Sequence, residues 1–266
     1  MADSRISNFD MATRAWFFPV VAFICAFSCL IVLWAVMEPA ALVAMFDSDG
    51  RSPFELATLP FFAAIIPLVW WKCPFEGTPL RRRILSTMVT MVVIMAIVKQ
   101  LDFHNYLLSI AYPDCVGEDG TLISGKFIRP NGKPLGGTPF KMRVITNGAV
   151  PLGMKALIVG YFTLFFGFFF AGLAYLFPAF IKGVFRLEPA AWSIGCFGAA
   201  GVIVQVADRL PAWFRRAGFN FFYSQDGDVS SSKALCTVLE EGGEMLIALF
   251  ALAAIFFAHR ALEREG

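Results

Sequence analysis

The chain has 266 residues, 58% of them hydrophobic and 15% aromatic, with 30 Phe and a mean hydropathy of +0.68. A soluble domain carries about 45–50% apolar residues, so the composition excludes one and indicates a polytopic membrane protein. The formal charge of +2 is spread over the connecting segments, which excludes the basic stripe of a nucleic-acid-binding protein; no nucleic-acid partner is expected.

The first apolar run, residues 15–37, is too long for the apolar core of a signal peptide and is followed by no clear small-residue cleavage site, so it reads as a retained span. Further runs lie at 54–71, 84–101, 152–181, 189–207 and 234–258, each long enough or nearly so to cross the hydrocarbon. The expected fold class is all-α: a six-helix transmembrane bundle, one polytopic domain over residues 1–266. Lys72, Arg81, Arg82 and Arg83 crowd the short connection between the second and third runs, which the positive-inside rule places in the cytoplasm, together with both termini of a multi-pass protein of the cell (inner) membrane. Basic residues in the outer loops, among them Lys126, Arg129, Arg215 and Arg216, work against that orientation.

Two outer segments stand out. In 112–150, the stretches 121–129 and 140–146 flank Pro130-Asn131-Gly132 and predict a small β-containing loop, a possible hairpin. In 211–232, the stretch from Pro211 to Tyr223 mixes aromatics and Arg as an interfacial loop would.

The stretch Leu239-Glu240-Glu241-Gly242-Gly243-Glu244 runs directly into apolar residues 245–258, so three carboxylates and two glycines enter a segment that otherwise reads as bilayer-buried. On a helix, Glu240 and Glu244 share a face at i,i+4, Glu241 meets Glu244 at i,i+3, and the glycines let a neighbouring backbone come close. Ionisable groups at that depth need partners. Glu244 lies about 22 Å, and Glu240 about 28 Å, from the inner anchor His259/Arg260 at the helical rise. The same count puts Glu55, Lys99, Asp102 and Asp208 about 24–28 Å from the inner ends of their own runs, with His104 and Arg209 beside them. Six acids would then face Lys99 and Arg209 near one membrane surface, an excess of negative charge that raises carboxylate pKa values or draws in a cation.

Each group also has a purely structural reading. Ser52-Pro53-Phe54-Glu55 is a capping box with Pro at the first helical position, which makes Glu55 a cap. Lys99 and Asp102, at i,i+3, can pair with each other, and Asp208-Arg209 can be a solvated helix end. A single imidazole such as His104 is ordinary at an interface. Glu241 and Glu244 are hardest to dismiss, because the apolar residues after them offer no route to water along their own helix. The phenylalanines from Phe162 to Phe170 are read as lipid contact and packing.

The segment Lys99-Gln100-Leu101-Asp102-Phe103-His104-Asn105 resembles a group of uncharacterised bacterial polytopic membrane proteins in which an Asp-Phe-His segment closes an early span and an acidic segment opens a late one. The resemblance extends to Asp208-Arg209 and Glu240–Glu244 and no further, and Gln100 and Asn105 stand where an acid and a lysine are expected. It implies roles for Asp102, His104 and Glu244 and brings no activity with it.

His104 and His259 are the only histidines and fall near opposite faces, which disfavours bis-histidine haem ligation; without a P-loop, no nucleotide is expected either. The six cysteines show no CxxC spacing, although Cys115 and Cys236, both expected outside, can pair. Three functions remain open. In the first, Asp102, His104, Asp208, Glu241 and Glu244 hold a divalent cation (Mg, Mn or Fe), and Lys99 and Arg209 receive the anionic head group of a lipid-linked substrate. Glu241, Glu244 and Asp208 then carry hydrolysis or group transfer. In the second, the chain is a non-catalytic membrane-complex subunit or assembly factor whose ionic layer fastens the helices and whose outer loops bind a membrane-protein partner. The third, a cation- or proton-coupled transporter, is disfavoured by the wholly apolar residues 245–258.

Overall fold

A computed structural model describes residues 15–46, 52–71, 73–75, 77–129, 132–219, 222 and 229–265. Among them the chain forms nine helices: α1 Phe17–Val36, α2 Pro39–Phe46, α3 Pro53–Trp71, α4 Pro79–Gln100, α5 Phe103–Ala111, α6 Met142–Ile145, α7 Leu152–Phe185, α8 Pro189–Arg216 and α9 Ser231–Glu265. Five of these, α1, α4, α7, α8 and α9, are long and apolar enough to cross a membrane. The expected second span lies in α3, whose apolar part, Leu56–Trp71, is shorter and holds Pro60 and Pro67. Prolines start α2, α3, α4 and α8, where a missing N–H costs nothing. The Ser52 carbonyl accepts from the Leu56 amide at 3.1 Å at the head of α3; the Glu55 side chain lies outside the described residues.

The chain divides into two compact units, one made of Met1–Thr90 with Ala174–Gly266, the other of Met91–Leu173. In the first, α9 packs on α8, α3, α1 and α2. Its buried residues Ala234, Val238, Gly242, Leu246 and Phe250 recur every four positions and form one ridge. Around that ridge lie Phe27 and Leu30 of α1, Leu42 and Phe46 of α2, and Cys196 and Ala200 of α8. Lipid is as apolar as these side chains, so close packing rather than escape from water holds such helices together. Trp34 Nε1 adds a polar tie, donating to Ser231 O at 2.9 Å.

The second unit surrounds a core of Leu108, Val116, Leu122, Phe127, Leu135, Val144, Met154 and other apolar residues. Where a β element was expected, the described residues show three isolated antiparallel bridges, Val116–Leu122, Leu122–Gly137 and Ile128–Pro134, and no strand. The turns between them place Gly120, Gly125, Gly132 and Gly137 at positive φ, which interrupts any continuous ladder. Asn147 stitches the loop: its Nδ2 donates to Ile128 O at 3.0 Å and its Oδ1 accepts from the Ala149 amide at 2.9 Å. Of the expected loop at 211–232, α8 takes up residues through Arg216, while 220–221 and 223–228 lie outside the described residues.

Candidate functional site

In the second unit, α4 ends and the chain turns at Asp102, whose φ of 49° and ψ of 18° place it in the left-handed region that Asp tolerates better than most residues. The Asp102 carbonyl accepts from the amides of Asn105 and Tyr106, and Asn105 Nδ2 donates to Asp102 Oδ1 at 3.1 Å. His104 folds back over the end of α4. Its Nδ1 lies 3.3 Å from Val98 O, an acceptor, so the proton of the neutral ring sits on Nδ1. Nε2 is left 4.0 Å from Asp102 Oδ1, too far for a hydrogen bond. Phe140 meets the imidazole edge-on at 4.4 Å between centroids, and Tyr161 stacks on it at 5.5 Å. Tyr161 is itself held by donating its hydroxyl to Met95 O at 3.0 Å.

Burial in this aromatic box pushes the His104 pKa below its ordinary 6.5, against the pull of the Val98 carbonyl and the Asp102 carboxylate, and Lys99 pushes the same way as burial. At neutral pH the ring is therefore neutral, with Nε2 the atom able to take a proton. Asp102 is mostly exposed.

In the first unit, Asp208 and Arg209 pair with each other, Arg209 Nε standing 3.0 Å from Asp208 Oδ2, and Gln205 Nε2 lies 3.4 Å from the same oxygen. Both side chains are exposed and lie well inside α8 rather than at its end. Glu241 and Glu244 lie on α9, half-buried and each engaged in an interaction, on either side of the buried Gly242 and Gly243. A β-carbon on Gly242 would fall 2.7 Å from Leu30 Cδ2 of α1, and one on Gly243 would fall 2.5 Å from Val204 Cγ2 of α8. A neighbouring backbone was expected at this pair; the groups that approach the glycines are side chains of α1 and α8.

The seven residues expected to form one site thus fall into two sets: Lys99, Asp102 and His104 in the second unit, and Asp208, Arg209, Glu241 and Glu244 in the first. Among the described residues, no three His, Cys, Asp or Glu side chains are grouped as ligands for a metal ion. All six cysteines are free thiols, Cys115 and Cys236 included. Sequence reading missed Phe140, Tyr161 and Asn105 around His104. Only the i,i+3 spacing of Asp102 and Asn105 offered a signal, since Phe140 and Tyr161 reach the ring from distant parts of the chain. A shallow groove of about 530 Å³ lies nearby between Tyr106, Ile110, Pro113 and Glu118.

No known protein family, curated protein or solved structure matches this chain.

Proposed function

We propose that the chain is a non-catalytic subunit or assembly factor of a membrane complex, crossing the cell (inner) membrane six times with both termini in the cytoplasm, α3 serving as the sixth crossing. In this reading the 112–150 loop, including the hairpin-like turn at Gly132, and the helix end after Pro211 face outward and meet a membrane-protein partner. The observation that carries it is the seating of Gly242 and Gly243 against Leu30 and Val204, because it gives the acidic stretch of α9 a packing role that requires no chemistry. The long, largely exposed apolar surface of α7 supports it too, as an area that lipid or a neighbouring subunit would cover. Purification of the tagged full chain from its native membranes in mild detergent tests this reading. A second protein retained in fixed stoichiometry supports it, and a chain that migrates alone speaks against it.

The neutral, boxed imidazole of His104 beside Asp102 favours a second reading, in which the outer face carries hydrolysis or group transfer on a lipid-linked substrate. There Nε2 would take the proton of a water or hydroxyl, and a divalent cation would be held by carboxylates. Metal analysis of the purified protein, with Asp102→Ala and Glu244→Ala for comparison, separates the two. Stoichiometric metal lost from variants that stay folded supports the enzyme.

A further inference from the structure

Residues 120–150 carry Lys126, Arg129, Lys133, Lys141 and Arg143 and no carboxylate. Three of these cations converge. Arg143 Nη2 donates to Gly136 O at 2.8 Å. Gly137 sits at φ +84°, and both Arg143 Nη2 and Lys141 Nζ lie 3.4 Å from the point its β-carbon would occupy. Burial, and then the charge of Arg129, hold the Arg143 guanidinium below its ordinary pKa. The Nε atoms of Arg129 and Arg143 are both buried and have no hydrogen-bond partner among the described residues.

Like charges gathered at this range repel, and a buried guanidinium N–H left unpaired is costly. One group that answers both problems is a multivalent oxyanion, whose oxygens accept in the fork geometry of arginine. We infer that Arg129, Lys141 and Arg143 form a binding site for a phosphate-type oxyanion, presented by a lipid head group or as free phosphate. The unit that holds them includes the end of α4 and the start of α7, two helices long and apolar enough to cross a membrane, so head groups are within reach.

Full-length protein in detergent, probed by native mass spectrometry with phosphatidylglycerol, phosphatidylcholine or inorganic phosphate, tests the site. Retention of phosphatidylglycerol over phosphatidylcholine identifies a head group, and retention of inorganic phosphate alone identifies a soluble oxyanion. In either case binding falls by about tenfold or more in Arg129→Gln, which loses a charge-assisted contact, and is unchanged in Lys126→Gln. Arg143→Lys keeps the charge but loses the fork, and weakens binding while leaving thermal unfolding near that of the parent. Retention of no anion by the parent, or equal retention by Arg129→Gln, overturns the proposal.

The outer face of α5 points to a second, separate contact. Phe103, Tyr106, Leu107 and Ile110 are all exposed and lie within an arc of about 100°, while Asn105 and Leu108 on the opposite side are buried. The helix has no charged residue and begins three positions beyond the last residue of α4. The bond from His104 back to Val98 O keeps its first turn beside the end of that span. We propose that α5 lies in the lipid interface with this stripe immersed among acyl chains, continuing the membrane-facing surface of α4. A photoreactive benzoylphenylalanine placed at Leu107 or Ile110 in proteoliposomes of phosphatidylethanolamine and phosphatidylglycerol then yields phospholipid adducts, and one placed at Lys126 does not. Adducts to protein at 107 and 110, or adducts no more abundant than at 126, overturn it.

Discussion

Val204 on α8 and Gly243 on α9 interlock so tightly that a single added methyl on the glycine would lie 2.5 Å from Val204 Cγ2. One residue earlier and about 100° round α9, Gly242 meets Leu30 of α1 in the same way. An alanine would otherwise favour the helix by about 1 kcal/mol, so the closeness of the neighbours decides the sign. Gly243→Ala is expected to destabilise by about 1–3 kcal/mol through overpacking. Gly198→Ala on α8, where nothing lies within 4 Å, is expected to be neutral or mildly stabilising. Thermal unfolding of the two variants in the same detergent checks the contrast.

Asn147 is buried and serves two backbone groups at once, Ile128 O and the Ala149 amide. Asn147→Ala leaves both without their partner and is expected to destabilise the loop by about 1–3 kcal/mol. Hydrogen exchange should show the loss locally, as faster exchange of the Ala149 amide with the amides of α9 unchanged.

The pKa of His104 lies below its unfolded value of 6.5, so between those two values the unfolded chain binds more protons than the folded one. Stability attributable to this group is therefore fully present above pH 6.5 and is lost as pH falls through the folded pKa. His104→Gln should flatten that decline, and the difference between the parent and variant unfolding curves from pH 7.5 downward measures it. A parent curve no steeper than the variant's would mean that the ring is not confined as described.

Helices could be read directly from the apolar runs, because a run of that length has few alternatives once water is excluded. Residues 15–37 correspond to α1 and 152–181 to α7, with ends that agree to within four residues, and 234–258 falls inside α9, which runs on to Glu265. The continuation of α8 to Arg216 was hidden by Pro211 and by the fall in hydropathy, since a polar end can remain helical once it leaves the lipid. In the 112–150 loop the alternation of residue types suggested strands, but four glycines at positive φ break the ladder into single bridges, and α5 and α6 occupy its flanks. The packing role of the glycines beside Glu241 and Glu244 was legible because a small residue on a membrane helix has few other uses. The box around His104 was not, because Phe140 and Tyr161 are brought to it by tertiary structure alone.

On the proposed reading, the protein acts by association and its acidic α9 segment packs helices. The most direct test is the mass of the full-length assembly extracted from native membranes, measured for the parent and for Glu241→Gln with Glu244→Gln. The expected result is a particle larger than the 29.3 kDa chain, with a second protein at fixed ratio, retained in the double variant as long as its unfolding temperature is preserved. A parent that elutes as a lone chain with bound metal, and loses that metal in the double variant, would contradict it.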